Sequence, residues 1–94
     1  MDKLIEEQRE AILRLAHEHG VTHVRVFGSM ARGEAGAKSD VDLLVDLDQG
    51  RTLLDLGALL MDLQDLLERR VDVLTEEGLH PRIKQRILRE AIAL

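Results

Sequence analysis

Residues 21–47 constrain this chain more than any other stretch. Two runs, VTHVRVF (21–27) and VDLLVDL (41–47), stand on either side of GSMARGEAGAKS (28–39). Both runs carry the signature of strands. Val24 and Val26 fall on one face of the first, and the second is dominated by apolar residues, as in a strand covered on at least one face. The segment between them holds three glycines and two cations, which breaks the alternation. It is expected to form a short helical turn from Ser29 and then a loop.

Around this pair the periodicity becomes helical. In residues 2–19, Leu4, Gln8, Ala11, Ile12, Leu15 and His19 recur at spacings of three and four, with Asp2 placed to cap the start and Gly20 to end the helix. Residues 52–68 form a second amphipathic helix, capped by Thr52. Leu53, Leu56, Leu60, Leu63 and Leu67 make its stripe, and Leu59 and Leu66 widen it. RVDVLT (70–75) reads as a third strand. Pro81 then opens a last helix over 81–93, with Ile83, Ile87, Leu88 and Ala91 on its apolar face. The order predicts an α/β (α+β) fold with a small, mixed, three-stranded sheet and flanking helices, and residues 1–94 as one domain. The leucine stripe is too short for a coiled coil and reads as core. A domain this small can still present part of it, or of the last helix, to a partner in a homo- or hetero-oligomer.

Composition narrows the function. There is no cysteine, hence no disulfide framework, thiolate zinc site or cysteine nucleophile. Phe27 is the one aromatic residue, which removes a base-stacking platform. A net charge of −5 is wrong for coating nucleic acid, so no direct nucleic-acid binding is expected. No apolar run is long enough to span a membrane, and the acidic N-terminus lacks a signal-peptide core, so a cytoplasmic protein is expected. His17, His19, His23 and His80 read as ordinary surface or boundary residues. Asp46 and Asp48 read as the solvated end of the second strand. For Arg25 and Lys38, phosphate steering and simple exposure both remain open.

The chemistry lies in three carboxylates and one turn. Asp40 and Asp42 are two apart at the opening of a strand and project from the same face. Asp72 lies among Val71, Val73 and Leu74, where an unpaired charge is costly. If the third strand neighbours the second, all three can converge. Two like charges 4 Å apart repel by roughly 4 kcal/mol at an effective dielectric of 20. A divalent cation removes that penalty, and hard oxygen donors favour Mg²⁺ or Mn²⁺. Two such ions suit an in-line phosphoryl transfer. Opposite them, Gly28 lets the backbone approach a ligand, Ser29 offers a hydroxyl and free N–H groups at a helix start, and Arg32 can reach a phosphate oxygen. Metal ligands facing phosphate donors suit nucleotidyl transfer from a nucleoside triphosphate.

Gly28-Ser29, ten residues, then Asp40-x-Asp42 and hydrophobics resembles the signature of the DNA polymerase beta superfamily of nucleotidyltransferases. The longer string FGSMARGEAGAKSDVDLLVDL resembles the minimal nucleotidyltransferases (MNT), the antitoxin half of HEPN/MNT toxin–antitoxin pairs. The resemblance covers nearly the whole chain. It implies that Gly28 and Ser29 hold the triphosphate of ATP, and that Asp40, Asp42 and Asp72 are the catalytic, metal-binding carboxylates. Asp72 would help deprotonate the attacking hydroxyl, and Arg32 and Ser39 match further motif positions. It implies an enzyme, a Mg²⁺-dependent protein adenylyltransferase, that transfers AMP to a tyrosine hydroxyl of a cognate HEPN ribonuclease toxin. Two rival readings stand beside it. One is an antitoxin that neutralises by complex formation without catalysis. The other is transfer to a small molecule such as an aminoglycoside, which the shortage of residues for an acceptor domain disfavours.

Overall fold

The computed structural model describes residues Met1–Leu94. Its elements run α1 (Lys3–Glu18), β1 (Val21–Phe27), α2 (Ser29–Arg32), β2 (Val41–Leu47), α3 (Leu53–Leu67), β3 (Val71–Leu74), α4 (Pro81–Glu90) and β4 (Ile92–Ala93), with a 3₁₀ turn at Glu76–Gly78. The sheet is mixed, in the order β3-β2-β1-β4. β1 pairs antiparallel with both β2 and β4, and β2 pairs parallel with β3. The parallel pair needs a crossover, and α3 supplies it.

The sheet has four strands where three are expected, because the last helix stops at Glu90 instead of running to 93. Ala91 turns extended (φ −65°, ψ 136°), and Ile92 and Ala93 pair with Val26 and Arg25. The Leu94 amide donates to the Val24 carbonyl at 2.9 Å. The competing gain is edge satisfaction. Two residues of strand cover unpaired backbone groups on β1 that a longer helix would leave open.

Period-two alternation divides the sheet into two faces. Val24 and Val26 of β1, Val41, Leu43 and Val45 of β2 and Val71 of β3 join one buried cluster with Ile5, Ile12 and Ala16 of α1 and Leu56, Leu59, Leu63 and Leu67 of α3. Phe27 and Leu44 face the other way and form a smaller cluster with Leu79 and Ile87. Thus α1 and α3 cover one face, and α4 leans on part of the other. Each fully buried aliphatic side chain contributes about 1.5–3 kcal/mol.

The helix starts follow the sequence closely. The Asp2 carboxylate accepts from the Leu4 amide at 2.8 Å. Thr52 and Asp55 form a reciprocal capping box at the start of α3. The leucine stripe requires one correction. Leu53, expected on the apolar face, is 80% exposed, and the buried stripe begins one turn later at Leu56. No helix is long and apolar enough to cross a membrane.

Candidate active site

One rung of the sheet organises the site. Asp42 of β2 stands opposite Phe27 of β1 on one side and Asp72 of β3 on the other. All three lie on the face that α4 only partly covers. Phe27 is buried there, and Gly28 follows at once, taking φ 72° and ψ −153°, a region that is essentially closed to other residues. That turn sends the chain into α2, which Met30 and Ala31 pin to the main core. The Asp2 amide donates to the Met30 carbonyl at 2.7 Å, so α1 also holds this short helix in place. Ser29 is thereby fixed at the mouth of the cleft. A Cβ at position 28 would lie 2.5 Å from the Asp42 Oδ2 atom, so the missing side chain is what admits the carboxylate.

The cleft encloses about 430 Å³ and is lined by Phe27, Gly28, Ser29, Arg32, Asp42, Leu74, Ile83, Arg86, Ile87 and Glu90. A second concavity of about 400 Å³ lies along β1 and β4, around Thr22, Val24, Asp46 and Leu94, and includes none of the expected site residues. Asp42 is half-buried, and its carboxyl pKa is pushed up to about 6. Burial is the largest cause, followed by the charge of Asp72, a hydrogen bond shared with Asp72, and the charges of Asp40 and Glu90.

The other expected residues are placed less uniformly. Asp72 sits beside Asp42 in register but is exposed, so its apolar sequence neighbours do not enclose it. They point to the other face or lie farther along the strand. Asp40 precedes β2 and is half-buried. The three do not close into a cage: no group of three His, Cys, Asp or Glu side chains is gathered to hold a metal ion. Asp42 and Asp72 nonetheless fit a hard divalent cation. They are adjacent oxygen donors, and no Lys, Arg or His pairs with Asp40, Asp42 or Asp72. Ser39 lies in the loop before β2, where its Oγ accepts from the Gly36 amide at 2.8 Å. Its carbonyl accepts from Arg69.

Two residues of α4 were not expected here. Glu90 Oε1 accepts from the Gly28 amide at 2.7 Å, and the Glu90 carboxylate takes Arg32 Nη1 at 3.1 and 3.3 Å. Arg32 also donates to Glu34 at 3.1 Å. Glu34 first and Glu90 second hold its guanidinium above its ordinary pKa. Arg86, one turn before Glu90, lines the same cleft and is in no ion pair. The only sequence signal for either was helical spacing from Ile87 and Ile83, which places them beside the apolar face. Arg25 is held by Asp46 at 3.9 Å, and His23 approaches the same carboxylate at 3.4 Å. His19 Nε2 lies 2.6 Å from Asp62 Oδ2 and ties α1 to α3.

A Gly-Ser turn after the first strand, facing carboxylates on two parallel neighbours, defines a nucleotidyltransferase core. Residues 5–94 match the model of the nucleotidyltransferase domain family. The chain is 43% identical over 88 residues to a Methanocaldococcus jannaschii protein assigned as a protein adenylyltransferase, covering 94% of this chain and 95% of that relative. It is 39% identical over 97 residues to the protein adenylyltransferase MntA of Thermococcus cleftensis, covering 98% of each. A solved structure described as a minimal nucleotidyltransferase superposes with a TM-score of 0.87 at 53% identity, over 100% of this chain and 97% of that one. The fold also matches a chain of the Shewanella oneidensis complex of a tri-AMPylated HEPN toxin with its MNT antitoxin. There the TM-score is 0.70 at 16% identity, over 94% of this chain and 69% of that one. This chain belongs to the nucleotidyltransferase domain family, among the minimal nucleotidyltransferases.

Proposed function

We propose that this chain is a protein adenylyltransferase that transfers AMP from ATP to a tyrosine hydroxyl of a HEPN-type toxin, and so acts as the antitoxin. The observation that carries the reading is the sheet rung that sets Asp42 against Asp72 beside the Gly28-Ser29 turn. In this reading the two carboxylates form the cation-binding side, and the Gly28-Ser29 turn beside Asp42 forms the phosphate-binding side. The names of the full-length relatives support the choice of a protein as acceptor. The reaction needs ATP, in keeping with a cytoplasmic protein.

In this reading the Gly28 amide, the Ser29 hydroxyl and the guanidinium groups of Arg32 and Arg86 bind phosphate oxygens and orient the triphosphate. Asp40, Asp42 and Asp72 would hold Mg²⁺, with two ions or Mn²⁺ also suiting an all-oxygen set. When bound, the metal neutralises charge on the transferring phosphate. The acceptor oxygen attacks the α-phosphorus, the bond to the β-phosphate oxygen breaks, and pyrophosphate leaves. Asp72, exposed at the sheet's end, takes the hydroxyl proton. Residues 1–94 work here as one domain, with the acceptor presented by the toxin.

The test is transfer of labelled AMP from ATP and Mg²⁺ to the protein encoded by the adjacent open reading frame, the candidate HEPN-type toxin. Label on a toxin tyrosine that is lost with Asp42→Asn is the expected result. No label, or equal label with Asp42→Asn, rejects the catalytic reading. Toxin neutralised at equal stoichiometry by the Asp40→Asn, Asp42→Asn double variant would instead establish neutralisation by complex formation.

A further inference from the structure

We infer that Glu90 is a built-in occupant of the phosphate-binding donors, so that nucleotide enters this site by displacing a carboxylate of the protein itself. The inference rests on the nucleotide-binding reading above and adds a competitor to it.

The contacts are specific. One Glu90 oxygen accepts from the Gly28 amide at 2.7 Å, and both oxygens lie within 3.3 Å of Arg32 Nη1. A backbone N–H at a glycine turn and a neighbouring guanidinium are the donor pair a phosphate oxygen takes. A carboxylate presents the same charge-bearing oxygens at similar spacing, and both anions cannot use these donors together. Glu90 therefore subtracts from nucleotide affinity twice, once by occupying the donors and once by adding a negative charge near Asp42.

The position of Glu90 makes the contact displaceable. It is the last residue of α4, seated through Ile87 on the Phe27–Leu44–Leu79 cluster. Its side chain is partly open to solvent, at 23% exposure. Beyond it, β4 pairs at only two positions. A rotation of the Glu90 side chain frees both donors without disturbing the main core.

The experiment is calorimetric titration of magnesium–AMP-PNP into the wild-type chain, Glu90→Gln and Glu90→Ala. Amide NMR of Gly28 is followed in the wild type through the same titration. Glu90→Gln keeps an oxygen for the Gly28 amide but removes the charge, and so guards against misfolding of the alanine variant. Both variants are expected to bind at least fivefold more tightly, with the Gly28 amide resonance shifting as wild type saturates. Equal or weaker binding by the variants overturns the inference and makes Glu90 a holder of Arg32, while the nucleotide-binding reading stands. A Gly28 resonance unmoved at saturation also overturns it. If none of the three proteins binds the nucleotide, the nucleotide-binding reading itself fails and the inference falls with it.

Discussion

Gly28 and Asp42 share a contact that a side chain at position 28 would not allow. The Asp42 Oδ2 atom occupies the space where a Cβ at position 28 would stand, 2.5 Å away. Gly28→Ala would meet both this overlap and a backbone at φ 72°, ψ −153°. Such a conformation costs a non-glycine residue about 1–3 kcal/mol. The variant is expected to lose stability in that range in urea unfolding and to lose at least tenfold in AMP transfer, because Asp42 must move. An alanine variant with wild-type midpoint and rate would show that the contact is dispensable.

Asp42 is the site's destabilised charge, and its pH dependence has a definite sign. Its pKa of about 6 in the folded chain lies above the ordinary 3.8. Below about pH 4 the carboxyl is protonated whether folded or not, so it adds no penalty. As pH rises toward 6, the unfolded chain ionises first, and the native state loses stability until Asp42 ionises as well. Taken in full, two pKa units would amount to about 3 kcal/mol. Solvent around a half-buried group reduces this to about 1 kcal/mol. In EDTA, Asp42→Asn is therefore expected to raise Tm by about 4–8 °C at pH 7.5. It should make little difference at pH 4, and it should abolish transfer. A variant no more stable than wild type at pH 7.5 would contradict this assignment of the penalty.

These two residues show what was legible in the sequence and what was not. The strands carrying them were readable because alternation and β-branching act over neighbouring residues. The parallel pairing of Asp42 with Asp72 needed only the expectation that the third strand lies beside the second. Glu90 was not readable, since its partners Gly28 and Arg32 lie 62 and 58 residues away. Helical periodicity marks it as polar but says nothing about what it meets. The end of α4 was missed for a related reason. Residues 91–93 continue a helical pattern locally, and only the open edge of β1 draws them into a strand. The loop contact of Ser39 Oγ with the Gly36 amide was equally unreadable, since no periodicity runs through residues 33–40.

Stability and catalysis should separate at Thr52. Its side chain accepts from the Leu54 amide at 3.2 Å, and Asp55 Oδ2 accepts from the Thr52 amide at 2.8 Å. These bonds satisfy donors at the start of α3, on the face of the sheet away from the cleft. Thr52→Ala is expected to cost about 1 kcal/mol, the usual value of an N-cap. It should lower the urea midpoint while the KM for ATP and the initial rate at 20 °C stay within twofold. A change in KM beyond that would mean that α3 communicates with the site across the sheet.

Arg86 offers the complementary separation, affinity without stability. It lines the cleft beside Glu90, forms no ion pair and is exposed, so the apo fold does not depend on its charge. A charge-assisted hydrogen bond to phosphate contributes about 1.5–3 kcal/mol, and exposure to solvent places Arg86 at the low end. Arg86→Ala is expected to raise the KM for ATP roughly tenfold, to change kcat by less than threefold and to leave Tm unchanged. Arg86→Lys should recover part of the affinity, since the charge is kept and the planar fork is lost. A KM unaffected by Arg86→Ala would remove this arginine from the phosphate side and leave Arg32 as the cleft's only cation for the triphosphate.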